Sequence, residues 1–294
     1  MNCEGLVLVS YGNQGVVETT DGTILDCHYR RSVGRPYCGD RVMIEMEGDR
    51  PQVIDILPRV NVFARADNRQ RKQVIAANLR QVLVVLAPRP EPSRDLVERY
   101  LVAAHSLDIV PVLVLNKAEL MVEKSFDPEG PLSRLEAYRE LGYATIETSC
   151  KVAPGISNLA PFLGDSVSIL AGQSGVGKSS LVNALIPDLD LQTGALSRVT
   201  GKGTHTTTTT IMYSLPNGGR LVDSPGVWEY GLWQIDQPEL THGFIEFRPF
   251  LGQCRFNDCR HDTEPSCAIR KAVGQGRISD WRYQSYVRLL RQNA

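Results

Sequence analysis

No apolar run in this 294-residue chain approaches the roughly 20 residues that a membrane-spanning helix needs. The first residues, MNCEGLVLVS, have neither a basic start nor a long apolar stretch. A secretory signal is therefore not expected, nor is a membrane partner, and a cytoplasmic setting is. A charge of one sign is missing too. The chain carries 32 Lys+Arg against 33 Asp+Glu, a net charge of −1, so any nucleic-acid partner has to be argued from local charge. The seven cysteines are an odd number with three clustered near the C-terminus, which speaks against a disulfide framework and for a reducing cytosol with a metal site. Internal repeats are lacking, and one run of threonines is the only low-complexity patch. What is present is 42% hydrophobic residues, enough to bury a large core spread over two or three domains.

The most informative segment is GQSGVGKS, residues 172–179, a complete GxxxxGKS phosphate loop. Gly172, Gly175 and Gly177 let the backbone curl so that several N–H groups, including those near Gln173, Ser174, Val176 and Ser180, point at phosphate. Lys178 is expected to reach the β- and γ-phosphates, and the Ser179 hydroxyl to ligate Mg²⁺. The β-branched run SVSIL before it predicts a buried parallel strand, and SLVNALI after it predicts a helix whose N-terminus faces the anion.

Downstream, Arg220-Leu221-Val222 leads into DSPG, residues 223–226. Asp223 is expected to hold Mg²⁺ through water and the Gly226 N–H to meet the γ-phosphate. Alone, DSPG is also a good turn. Between the two motifs lies HTTTTT, residues 205–210, where a switch threonine ligating Mg²⁺ is expected. Spacing to Asp223 favours Thr208, with Thr207 next, while Thr209 and Thr210 read as the start of a strand.

The base-reading motif comes first in the chain. Asn116-Lys117-Ala118-Glu119 follows the strand run VLVL, and Thr148-Ser149-Cys150-Lys151 follows another strand. In NKxD motifs the carboxylate accepts two hydrogen bonds from the guanine edge, and adenine lacks that donor pair. Here Glu119 supplies the carboxylate, one methylene longer than Asp, and Ser149 and Cys150 sit where an SAK-type loop closes over the base. The order base, base, phosphate, switch one, switch two is a circular permutation of an ordinary small GTPase, cheap where chain termini are adjacent and exposed.

Three domains are expected. Residues 1–62 alternate apolar stretches with turn residues, Asn-Gln-Gly and Thr-Asp-Gly marking hairpins, and predict a small antiparallel barrel, best matched by an OB-fold. Residues 63–233 open with a basic connector (Arg65, Arg69, Arg71, Lys72, Arg80) and continue as alternating strands and helices, an α/β core with a mostly parallel sheet. Residues 234–294 contain Cys254-x4-Cys259-x-His261-x5-Cys267. Three thiolates and an imidazole suit tetrahedral Zn²⁺ with no open position, a structural site contributing on the order of 10 kcal/mol to folding. Cys3, Cys27, Cys38 and Cys150 read as ordinary small apolar residues. After the cluster, Arg270, Lys271, Arg277, Arg282, Arg288 and Arg291 are interleaved with Trp281, Tyr283 and Tyr286. This pattern suits RNA contact by phosphate pairing and stacking, or equally a solvated helix face.

Taken together, RYLVAAHSLDIVPVLVLNKAEL, GQSGVGKSSLVNAL, THTTTTT, LVDSPGV and the CxxxxCxHxxxxxC cluster resemble the circularly permuted ribosome-biogenesis GTPases of the RsgA/YjeQ type over nearly the whole chain. The resemblance implies an OB domain, a permuted GTPase core and a zinc domain. It also implies binding to the small ribosomal subunit and its rRNA during late maturation, with hydrolysis of GTP to GDP stimulated by that subunit. Val227 stands where an ordinary GTPase carries a water-orienting Gln, and the resemblance makes His205 its substitute. A monomer is expected. Two rival readings remain: an RNA-binding checkpoint module in which hydrolysis only triggers release, and a P-loop ATPase or small-molecule kinase.

Overall fold

The computed structural model describes residues 2–46, 50–66, 72–122, 126–152, 155–200, 210–224 and 235–292. The chain begins with five strands, β1 (Asn2–Tyr11), β2 (Gln14–Thr19), β3 (Ile24–Tyr29), β4 (Arg41–Glu45) and β5 (Gln52–Ile56). They pair in the order β1-β2-β3-β5-β4, and β4 closes back on β1. All these pairings are antiparallel except β3 with β5, the topology of a five-stranded Greek-key barrel of OB type. Inward positions alternate along the strands, and Val7, Val17, Cys27, Val42, Ile44 and Val53 fill the interior. Thr-Asp-Gly turns β2 into β3 with Gly22 at φ 84°, as expected. At the first hairpin the turn falls on Gly12 and Asn13, and Gln14 and Gly15 already belong to β2. Gly12 rather than Gly15 supplies the left-handed residue, at φ 61°.

The basic connector is a two-stranded antiparallel ribbon, β6 (Val62–Ala66) with β7 (Lys72–Ala77). Phe63, Ile75 and Ala76 pin it to the main core. Of the expected basic residues, Lys72 and Arg80 are exposed, while Arg69 and Arg71 lie outside the described residues.

A six-stranded sheet follows, from β8 (Gln81–Leu86), β9 (Val110–Leu115), β10 (Ala144–Glu147), β11 (Val167–Ala171), β12 (Ile211–Ser214) and β13 (Arg220–Asp223). Its order is β10-β9-β8-β11-β13-β12, parallel throughout except for β12 against β13. The central strand β8, QVLVVL, is buried at every position, as a strand covered on both faces must be. Helices α1 (Leu96–Ser106), α2 (Leu135–Glu140), α3 (Ala160–Leu163), α4 (Lys178–Leu185) and α5 (Leu189–Thr200) connect the strands. The edge strand β12 pairs with β1 at Val9↔Ile211, so barrel and parallel sheet form one continuous sheet. Thr210 precedes this strand rather than belonging to it.

The C-terminal part contains α6 (Gln237–Gly243), a 3-10 helix (Ile245–Phe250), α7 (Ala268–Gly274) and α8 (Asp280–Gln292). Helix α6 starts in a capping box between Asp236 and Glu239. Phe244, Phe247, Tyr286 and Leu289 form the centre of a separate core that also takes in Val102 and Ala103 of α1. Helix α8 differs from the expectation of an RNA-stacking or solvated face. Tyr286 is completely buried, Tyr283 bonds the backbone of His261, and Trp281 packs edge-on to Tyr138. Arg282 is likewise interior, bound to Glu98 and Glu246. These side chains build the domain, so they are neither an RNA-stacking platform nor a solvated face.

Candidate functional site

The permuted motifs converge because each follows a strand of one parallel sheet. Gly172 leaves β11, Asn116 leaves β9, Thr148 leaves β10, and Asp223 ends β13, all at the carboxyl edge where α/β sheets hold ligands.

The phosphate loop is shaped by glycine. Gly172 has φ 141° and comes so close to β8 that a Cβ there would lie 2.2 Å from the Val85 carbonyl oxygen. Gly177, at φ 96°, caps α4, and a Cβ there would lie 2.4 Å from the Asn116 amide nitrogen. No other residue type fits either place without displacement. Val176 is buried beneath the loop, whereas Ser174, Gly175, Ser179 and Ser180 face the open side. Lys178 Nζ donates to the carbonyls of Gly172 at 2.7 Å and Gln173 at 2.8 Å. The amide oxygen of Gln173 is buried without a hydrogen-bond partner. Burial pushes the Lys178 ammonium down, opposed by Asp223, and pushes the Asp223 carboxyl up, opposed by Lys178. A desolvated carboxylate near the phosphate-loop lysine suits a hard divalent cation, whose charge would restore the ionised form.

The base side is locked to this loop. Asn116 is buried, donates from Nδ2 to the Val176 carbonyl at 2.9 Å, and accepts from the Thr148 hydroxyl at 3.3 Å. Lys117, held at φ 56°, stretches its ammonium to the carbonyls of Gly175 at 2.6 Å and Arg89 at 2.9 Å. Its stem thus bridges the base loop, the phosphate loop and the segment after β8. Ala118 N–H donates to Thr148 O, tying the two base loops together. Ser149 Oγ accepts the N–H groups of Lys151 and Val152, which holds the second loop in a turn. Glu119 Oε2 is buried with no hydrogen-bond partner, an acceptor that guanine N1–H and N2–H₂ would satisfy. Cys150 is exposed beside it, and burial followed by the Glu119 charge raises its thiol.

His205, Thr207, Thr208, Gly226 and Val227 lie outside the described residues. Thr210 donates to or accepts from Ser224 at 2.8 Å, joining the ends of the two switch segments. The Arg89 carbonyl was not among the expected residues. It lies in the proline-rich stretch APRPEP, residues 87–92, and only the fold brings it to Lys117.

The second site is the Cys/His cluster. The donor atoms of Cys254, Cys259, His261 and Cys267 all lie within 4.8 Å of one another. His261 Nδ1 is 3.5 Å from Cys254 Sγ and 3.4 Å from Cys267 Sγ, and those two sulfurs are 3.9 Å apart. A tetrahedral ion with zinc's bond lengths would set its sulfurs about 3.8 Å apart and sulfur to nitrogen about 3.6 Å. The three separations among Cys254, His261 and Cys267 match these values, and the cluster suits a structural metal. His261 adopts φ 62°, and its backbone carbonyl takes a 2.9 Å bond from Tyr283. Ala268 N–H donates to Cys254 Sγ at 3.3 Å, and Tyr286 OH donates to the Arg260 carbonyl at 2.7 Å. Burial raises the Cys259 thiol to about 12 and raises Cys267 as well, the cost a cation would offset by holding them as thiolates.

Comparison with known proteins agrees with this arrangement. Residues 56–233 match the family model for RsgA GTPase. A protein of Pseudomonas aeruginosa (strain LESB58) named small ribosomal subunit biogenesis GTPase RsgA is 45% identical over 287 residues, 97% of this chain and 84% of that protein. The protein of the same name from Azotobacter vinelandii (strain DJ / ATCC BAA-1303) is 44% identical, over 97% and 84%. Among solved structures, YjeQ from Thermotoga maritima superposes with TM-score 0.76 at 30% identity, covering 100% of this chain and 99% of that one. YloQ, described as a circularly permuted GTPase, superposes with TM-score 0.75 at 26% identity, covering 100% and 95%.

Proposed function

The chain belongs to the RsgA GTPase family and is a GTP hydrolase, and from that premise we propose that it binds the small ribosomal subunit late in its maturation, with the subunit stimulating hydrolysis of GTP to GDP and phosphate. The observation that carries the reading is the convergence of GQSGVGKS, NKAE, TSCK and Asp223 on one edge of one sheet.

Each residue has a task there. Asn116 ties the base loop to the phosphate loop, Lys117 supports the purine, and Glu119 reads the guanine edge, with Ser149 and Cys150 closing over it. The backbone N–H groups of 173–180 and Lys178 surround the phosphates. Ser179 and Asp223 would hold Mg²⁺, which when bound neutralises charge developing on the phosphate oxygens. Catalysis of this kind is positioning and electrostatics. Within the segments outside the described residues, Thr208 is assigned to sensing the γ-phosphate as a further Mg²⁺ ligand, Gly226 to meeting that phosphate, and His205 to orienting water.

The metal of the Cys254/Cys259/His261/Cys267 cluster is taken to be zinc, closed and structural. Around it Arg255, Phe256, Arg260, Arg270 and Lys271 are exposed, and the barrel exposes Arg31, Arg35 and Arg50. Exposed basic residues in both the barrel and the C-terminal part support contact with rRNA phosphates. No helix among the described residues is long and apolar enough to cross a membrane, in keeping with a cytoplasmic protein, which we take to be a monomer.

The test is the rate of GTP hydrolysis with and without purified small subunits, with ATP as competitor. A slow basal rate that rises at least tenfold with subunits, unaffected by ATP, is expected. Full turnover on the free protein would overturn the stimulation, and equal competition by ATP would overturn the guanine reading. A stimulated rate that leaves bound subunits in place would count against the checkpoint alternative, in which hydrolysis serves only release.

A further inference from the structure

The C-terminal domain meets the parallel-sheet core over α1. Val102 and Ala103 of α1 belong to its hydrophobic core, and Gly243 of α6 sits so close that a Cβ there would lie 2.8 Å from Val102. Two arginines of α8 reinforce this contact at the first turn of α1. Arg282, 1% exposed, binds Glu246 through Nε at 2.5 Å and Nη2 at 3.2 Å, and reaches Glu98 Oε1 through Nη1 at 3.3 Å. Glu98, also 1% exposed, takes a second bond from Tyr138 at 2.6 Å, and its other oxygen is buried without a partner. Arg288 binds Asp95, the residue before α1, at 2.9 Å.

Asp95 ends the segment that leaves β8 beside the nucleotide loops. That segment is not slack. Glu91 accepts the Asp127 N–H at 2.7 Å, and Arg94 is held by Asp127 and Glu129. At its other end the Arg89 carbonyl shares the Lys117 ammonium with Gly175, and Pro90 Cδ lies 3.4 Å from where a Cβ on Gly175 would stand. A fixed chain of contacts therefore runs from α8 through α1 and residues 89–95 to the residue that supports the purine.

We propose that Arg282 and Arg288 are positioning residues for the nucleotide site: they set α1, and through residues 89–95 they set the Lys117 contact that governs how long guanine nucleotide stays bound. The inference rests on the guanine-nucleotide reading above. Its consequence is directional. A partner seated on the C-terminal domain that moves α8 alters nucleotide release on the base side of the pocket, and by linkage bound nucleotide alters partner affinity by the same factor. Glu98 suits a device of this kind. A buried carboxylate with one oxygen unpartnered makes its remaining bonds to Arg282 and Tyr138 costly to break, so a change in them is felt along α1.

The test is the dissociation rate of fluorescent GDP from the full-length, metal-loaded protein. Arg288→Ala removes a half-exposed side chain, and Glu98→Gln removes a charge at constant shape. Arg291→Ala, whose partner Asp262 lies within the C-terminal domain, is the control. Release should speed up about fivefold or more in the first two, within the range of roughly 5–150-fold usual for coupled sites, and stay unchanged in the control. In a Lys117→Met background, Arg288→Ala should add nothing. Rates within twofold of wild type for both variants, even with a lowered melting temperature, would reduce the contacts to a structural role and overturn the proposal. An undiminished Arg288→Ala effect in the Lys117→Met background would overturn the route through Lys117. Failure of the wild-type protein to bind GDP at all would instead sink the guanine reading itself.

Discussion

Replacing Glu119 by Gln tests the base pocket with the smallest change in shape. The residue sits in the first turn of a 3-10 helix, Ala118–Val122, with Oε2 buried and unpartnered. Two hydrogen bonds from a guanine edge to an ionised carboxylate contribute about 1.5–3 kcal/mol each, so about 3–6 kcal/mol is at stake. At 1.4 kcal/mol per tenfold, complete loss would weaken GTP by roughly 10²–10⁴. Glutamine keeps one acceptor and turns the other into a donor facing the guanine amino group. GTP affinity should therefore fall about 100-fold or more. Xanthine carries a carbonyl where guanine carries that amino group, and it retains N1–H, so it matches the glutamine amide donor for acceptor. Glu119→Gln should bind XTP more tightly than GTP. Equilibrium competition of a fluorescent guanine nucleotide by GTP, XTP and ATP at fixed Mg²⁺ measures all three. Because Oε2 makes no hydrogen bond among the described residues, stability should change by no more than about 0.5 kcal/mol. GTP binding within threefold of wild type, with XTP still excluded, would show that Glu119 does not read the base.

Cys259→Ser should abolish metal retention and remove the C-terminal domain's thermal transition, and cobalt(II) should give the visible bands of a tetrahedral thiolate site in the wild type only. Burial, aided by Arg248 and Arg282, lowers His105 from 6.5 to about 4 in the folded state. The unfolded chain takes up the proton first, so stability is whole above pH 6.5 and declines as pH falls toward 4. A full unit is worth 1.36 kcal/mol, and discounting for the partly exposed ring leaves a loss of about 1–2 kcal/mol. Denaturant melts should show that slope in wild type and a flatter one in His105→Gln. Gly172→Ala would press a Cβ against the Val85 carbonyl at φ 141°. The strained backbone alone costs about 1–3 kcal/mol, and nucleotide titration should show at least tenfold weaker binding. Lys178→Met should reduce stimulated hydrolysis at least a hundredfold, read as phosphate release at saturating GTP.

Much of the site was legible because its chemistry is local. Glycines at 172, 175 and 177 announce left-handed backbone wherever they fall, and buried strands announce themselves by apolar runs such as VLVVL and VLVL. The strand before the phosphate loop was expected at 166–170 and spans Val167–Ala171. Such end shifts are decided by capping and tertiary contact. Four donors within one short polar stretch likewise point to a metal without help from the rest of the chain, since the loop alone brings them together.

What sequence could not decide is which side of an amphipathic element turns inward when its partner lies far along the chain. Helix α8 carries arginines and aromatics that suit an RNA surface equally well on pattern. Its orientation is settled by Glu98, 184 residues away from Arg282, and by the Phe244–Phe247 core. The same holds at the nucleotide site. The motifs by themselves pointed to phosphate, guanine and metal, because each is built from neighbours in the chain. Only the tertiary structure placed the Arg89 carbonyl against Lys117 and α8 against α1, because hydrogen bonds and ion pairs between distant segments leave no periodicity or spacing to read.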